Sequence, residues 1–279
     1  MAEATISTAE RRRSITWRDE VSAIPQYTLG QILLIWAAAA IPMGILWWLV
    51  APALARGSQN PLPVLLAVLT VGLVWQFVLV LLLLFRETGT LRWSVIRPRL
   101  WLNTPRSPQT GAPSRRLWLW LIPIVVLTAG YEFAVSGLLD RVWVSLFPFL
   151  AEPPGASLAA ALATPQAKAQ LVGAWGVWVL FLVNALFNTV LGEELLFRGL
   201  LLPRMAGAFG RWDWVMNGLL FGLYHLHKPW ILLSAAIEGI LFFAFPSRYY
   251  RSSWFGIIAH SGQSVFFAIL TLGLVLGLA

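Results

Sequence analysis

The chain contains no cysteine. Disulfides, thiolate nucleophiles and cysteine-based zinc or iron–sulfur centres are excluded, so any metal would have to be held by histidine and carboxylate. Charge is the second scarcity: Asp, Glu, Lys and Arg make up 11% of the 279 residues, against about 25% in soluble domains. Histidine is the third, with 3 in the whole chain, all after residue 220. The remainder is apolar: 58% hydrophobic, 16 Trp, 16 Phe and a mean hydropathy of +0.74. This is the composition of an integral membrane protein.

Apolar runs long enough to cross a bilayer are expected at 29–51, 62–85, 117–139, 171–191, 213–227, 229–246 and 252–279. The spacing predicts an all-α, polytopic transmembrane helical bundle of about seven or eight spans. His227-Lys228-Pro229 is short enough to join two of the runs as a helical hairpin. The last run allows one tilted helix, or a helix plus a re-entrant piece.

Of the 20 basic residues, 16 fall in alternate connecting segments. Arg11, Arg12, Arg13 and Arg18 precede the first run, seven arginines occupy 86–116, Arg198, Arg204 and Arg211 follow the fourth, and Arg248 and Arg251 precede the last. The positive-inside rule then places the N-terminus, and the Glu193 end of the fourth run, in the cytoplasm. The first 28 residues are polar and lack an early apolar stretch, consistent with a cytoplasmic segment and a cell-membrane location. Basic residues beside spans report topology and contact with membrane lipid, and no nucleic-acid partner is expected. Residues 29–139, with the Arg-rich loop 86–116, form one region, and 171–275 form a second, denser in polar residues. No internal repeat is evident, which weakens a transporter built on inverted repeats.

Each carboxylate at membrane depth costs roughly 2.5–3.5 kcal/mol on insertion scales, so the ionisable groups inside apolar runs are the functional candidates. The run Gly192-Glu193-Glu194-Leu195-Leu196-Phe197-Arg198 is the first of them. Glu194 and Arg198 stand one helical turn apart and can pair, a role that is as readily structural as functional. Glu193 lies about 100° further round the helix and is left for chemistry. Phe221 and His225 are also a turn apart, whereas His227, beside Lys228, reads as interfacial. His260 shares a stripe with Gln263 and Ser264. Glu132 and Glu238 are expected to pair with polar groups on neighbouring helices, or, for Glu238, to border a cavity.

A glutamate and a histidine reaching one water can activate it for attack on a carbonyl. His260, with Gln263 or Ser264, can donate to the developing oxyanion. Peptide hydrolysis is accessible without a serine or cysteine nucleophile and without a cofactor. Alternatively, Glu193, His225 and His260 could hold Zn²⁺, although the His-Glu-x-x-His spacing of soluble zinc proteases is missing.

Three motifs in order, Glu-Glu-x-x-x-Arg at 193–198, Phe-x-x-x-His at 221–225 and a later His260 followed by polar groups, resemble the CAAX-processing and bacteriocin-processing (CPBP, or ABI) intramembrane proteases, which include type II CAAX prenyl endopeptidases. The resemblance covers roughly 171–275. It implies that Glu193 and His225 activate water, that His260 and position 264 stabilise the oxyanion, and that Glu194 and Arg198 support them. It also implies a glutamate-dependent, metal-free endopeptidase acting on a membrane-associated, lipidated or bacteriocin-type peptide. The chain departs from the pattern at Ser264, where the family has Asn or Asp, and Gln263 is expected to supply the missing group. A proton-coupled transporter or channel, and a non-catalytic immunity or scaffold protein, are the rival readings.

Overall fold

The computed structural model describes residues 24–58, 61–153 and 165–278. The N-terminal arginines Arg11 to Arg18, and most of the 1–28 segment, lie outside the described residues. Among the described residues the architecture is all-helical, with no strand beyond one isolated bridge between Arg106 and Pro113. Six helices are long and apolar enough to cross a membrane. They are α1 (Leu29–Ala55), α2 (Leu62–Thr88), α4 (Arg115–Leu146), α5 (Trp175–Arg204), α7 (Pro229–Tyr249) and α8 (Trp254–Val275).

Two expected elements come out differently. The run at 213–227 folds as a 12-residue helix, α6 (Asp213–Tyr224), closed by a 3-10 turn at His225–His227. At 1.5 Å per residue it reaches only about 18 Å, so it enters the bundle without crossing it. The fourth run was expected to end near residue 191, but α5 continues to Arg204, which puts Glu193, Glu194 and Arg198 inside the helix. The last run is one continuous helix, α8.

Local sequence sets these boundaries. Thr28 and Gln31 form a reciprocal capping box at the start of α1, with N–H···O distances of 2.9 and 3.2 Å. Gly89, left-handed at φ 70°, ends α2 by donating its N–H to the Phe85 carbonyl at 2.8 Å. The outward faces stay apolar: Leu34, Leu49, Ile122, Val126 and Ile269 are all exposed on spans. Lipid is their solvent, so the helices associate through packing and polar contacts rather than a hydrophobic driving force.

The α6–α7 hairpin illustrates that packing. Gly218 and Gly222 lie against Ile240 and Ala236 of α7, and a Cβ at either glycine would fall 2.4–2.5 Å from those neighbours. This is the small-xxx-small approach of membrane helices. Gly222→Val is expected to force the hairpin apart and destabilise the protein by about 2 kcal/mol or more, whereas Gly44→Ala, which meets open space, should be neutral. Thermal unfolding of the two variants in detergent checks the contrast, and equal midpoints would refute it.

Residues 86–116, expected to be a loop, are folded onto one end of the bundle. The helix α3 (Trp93–Arg99) is followed by Leu100, Trp101 and Leu102, all buried. Ser253 donates its hydroxyl to the carbonyls of Leu100 (2.7 Å) and Arg198 (2.9 Å), and Ser252 donates to that of Asn103 (2.8 Å). Partly buried ion pairs finish this end. Glu87 binds Arg204 at 2.8 Å and also pairs with Arg99, while Arg248 Nε reaches both Asp213 oxygens at 2.7 and 2.9 Å. Burial pushes the Asp213 carboxyl above its ordinary pKa, and Arg248 opposes that shift.

Candidate catalytic site

Five helices bring polar residues to one cavity of about 290 Å³. Glu193 enters from α5, His225 from the end of α6, Glu238 from α7, and His260 and Gln263 from α8, with Glu132 of α4 on the rim. The carboxylates share a local backbone feature. Glu132 opens a π-helical turn (Glu132–Ser136), Glu238 immediately precedes another (Gly239–Ala244), and Glu193-Glu194 sits between two (Phe187–Gly192 and Leu195–Leu201). Such turns widen the helix and occur frequently at functional sites.

The adjacent glutamates part company. Glu194 is fully buried behind the cavity, where one oxygen accepts from Arg198 at 2.9 Å and from His260 Nδ1 at 3.1 Å. Its other oxygen faces Gly256 so closely that a Cβ there would lie 2.5 Å away. Arg198, also fully buried, donates to the Gly239 carbonyl at 3.3 Å and lays its guanidinium over the Phe221 ring at 4.1 Å. Neither residue lines the cavity. Glu193 does, at 3% exposure, and Tyr224 lines the same cavity.

Hydrogen bonding fixes the histidine tautomers. A carbonyl can only accept, so His225 Nδ1, 2.9 Å from the Phe221 carbonyl, carries a proton and leaves Nε2 with its lone pair. His260 turns Nδ1 to Glu194 while its ring stacks on Phe243 with centroids 4.8 Å apart. Gln263 Nε2 bridges Glu238 (2.5 Å) and Glu132 (3.4 Å), so the partner expected for both glutamates is one shared amide. Ser264 is half-buried on α8 and does not line the cavity.

His227 is the main positional correction. Expected at the interface, it is 95% buried, lines the cavity and stacks on His225 with ring centroids 5.5 Å apart. Asp140, Tyr224 and Lys228 also line the cavity without having been singled out. Asp140 and Lys228 could have been found as charges flanking apolar runs; Tyr224 carries no such signal. Among the described residues no three His, Asp or Glu side chains are grouped so as to hold a metal ion.

The membrane bundle thus brings glutamate, histidine and amide side chains together at one polar cavity. Residues 174–266, from the start of α5 into α8, match a family described as Rce1-like, type II CAAX prenyl endopeptidase Rce1-like. That segment, which carries the site, is thus similar to the CPBP/CAAX proteases. Comparison with curated proteins and with solved structures gave no match.

Proposed function

We propose that the protein is an intramembrane endopeptidase in which Glu193 activates water. The observation that carries this reading is the convergence of Glu193, His225 and His260, from three separate helices, on one cavity inside the bundle. Water held between Glu193 and the free Nε2 of His225 loses a proton to the carboxylate as its oxygen attacks the scissile carbonyl. His260, whose Nδ1–H is held by Glu194, has in its protonated form an Nε2–H to donate to the oxyanion. Glu193 then returns its proton to the leaving amine, and the peptide bond breaks. Both Gln263 donor contacts run to carboxylates, so in this scheme Gln263 holds the Glu132–Glu238 wall and His260 is the oxyanion donor.

The family match supports a lipidated peptide of CAAX type as substrate, presented at the Arg-rich end, which would face the cytoplasm of the cell membrane. Purified protein in lipid nanodiscs should cleave a prenylated peptide at one bond, with products read by mass spectrometry, and cleave its unprenylated twin more slowly. Proton flux in liposomes without cleavage of any peptide would assign the cavity to transport instead.

A further inference from the structure

In the middle of α2, within the run Leu69-Thr70-Val71-Gly72-Leu73-Val74-Trp75-Gln76-Phe77-Val78-Leu79-Val80, stands a fully buried amide, Gln76. Burying an amide without partners is costly. Gln76 meets part of that demand with one contact: Nε2 donates to the Tyr224 hydroxyl oxygen at 2.6 Å. Its own Oε1 has no hydrogen-bond partner. The amide NH₂ only donates, so the Tyr224 oxygen is the acceptor, and the phenolic proton must be directed elsewhere. Tyr224 is 1% exposed, which removes bulk water as that destination. Tyr224 and Glu193 line the same cavity, which makes the Glu193 carboxylate an acceptor for that proton. The phenol ring cannot swing away, because Phe197, His225 and His227 pack around it with centroids 5.1–5.7 Å distant.

We propose that Gln76 and Tyr224 are positioning residues for Glu193, a buried relay in which Gln76 orients the Tyr224 hydroxyl and Tyr224 aims the carboxylate. The inference rests on the reading of Glu193 as the base. In this relay the phenol would hold one carboxylate oxygen and leave the other for the water. The relay also ties the site to α2, which lies outside the matched segment 174–266. Tyr224 immediately precedes His225, so one turn of chain supplies both the histidine and the group that orients its partner.

The test measures kcat and KM for Tyr224→Phe, Gln76→Leu and the double variant on a peptide cleaved by the parent. A hydrogen bond to a charged group is worth about 1.5–3 kcal/mol, so Tyr224→Phe should lower kcat by about 10-fold or more, with KM within about twofold of the parent. Gln76→Leu should lower kcat by a smaller factor, and the double variant should be no slower than Tyr224→Phe, because Gln76 acts only through Tyr224. Losses that multiply in the double variant, or Tyr224→Phe at the parental kcat, would overturn the relay. A second readout does not need turnover: the infrared carboxyl band of Glu193, identified by its loss in Glu193→Gln, should shift in Tyr224→Phe and in Gln76→Leu. An unshifted band in both overturns the relay even if the variants are slow. A shifted band in a parent that cleaves nothing leaves the relay standing as a contact and refutes the base assignment alone.

Discussion

Replacing Glu193 by glutamine is expected to lower kcat by about 10³-fold, within the 10²–10⁴ range that a positioned general acid–base contributes, equivalent to about 4 kcal/mol of barrier. The swap keeps the size of the side chain and its place beside Tyr224, but removes the proton acceptor. KM should therefore stay near the parental value, since nothing that holds the peptide changes. The fold should survive as well, because Glu193 lines the cavity and is not a partner in the Glu194–Arg198 pair. Steady-state cleavage of a fluorogenic peptide, with a melting curve alongside, separates these effects. A variant that retains a tenth of the parental kcat would place the base elsewhere, with Glu238 and Glu132 the next carboxylates on the cavity wall.

The contrast between two neighbouring glutamates was partly legible in the chain itself. Charges inside apolar runs stand out, which is why Glu193, Glu194, Arg198, His225 and His260 could be named from sequence and why the Glu194–Arg198 pair could be expected. The helical bundle was legible for the same reason. The details that depend on backbone geometry were not. A reading at 3.6 residues per turn has no means to foresee π turns, and these turns bracket the Glu193-Glu194 pair. Their wider turn alters which residues share a face.

Tertiary contacts hid the rest. Gln76 and Tyr224 look like isolated polar fillers in apolar stretches, and only the meeting of α2 with α6 turns them into a network. His227 reads as interfacial because Lys228 and Pro229 follow it, yet the 3-10 turn carries it into the cavity. Residues 100–107 carry the polarity of a loop, and the serines at 252–253 that anchor them are distant in sequence. In each case the deciding partner lies far along the chain, where local pattern carries no information.

Arg198 should dominate stability as Glu193 dominates turnover. Its guanidinium is fully buried, bonded to Glu194 at 2.9 Å and to the Gly239 carbonyl at 3.3 Å, and stacked over Phe221 at 4.1 Å. Arg198→Met fills similar space but leaves Glu194 buried without its guanidinium partner, facing only His260. Removing one partner of a buried pair in this way costs about 3–5 kcal/mol. Arg198→Lys keeps the charge but cannot reproduce the planar fork or its stacking, so it should fall between parent and Arg198→Met. The Glu194→Gln/Arg198→Met double variant removes both charges together and should recover part of the stability lost in Arg198→Met alone. Activity should not return with it, because in the proposed scheme the Glu194 carboxylate that holds His260 Nδ1–H readies His260 as the oxyanion donor. Unfolding midpoints and cleavage rates measured on the same three variants test this. An Arg198→Met protein as stable as the parent would show that the pair contributes nothing to the fold, and an active double variant would show that Glu194 is not needed to ready His260.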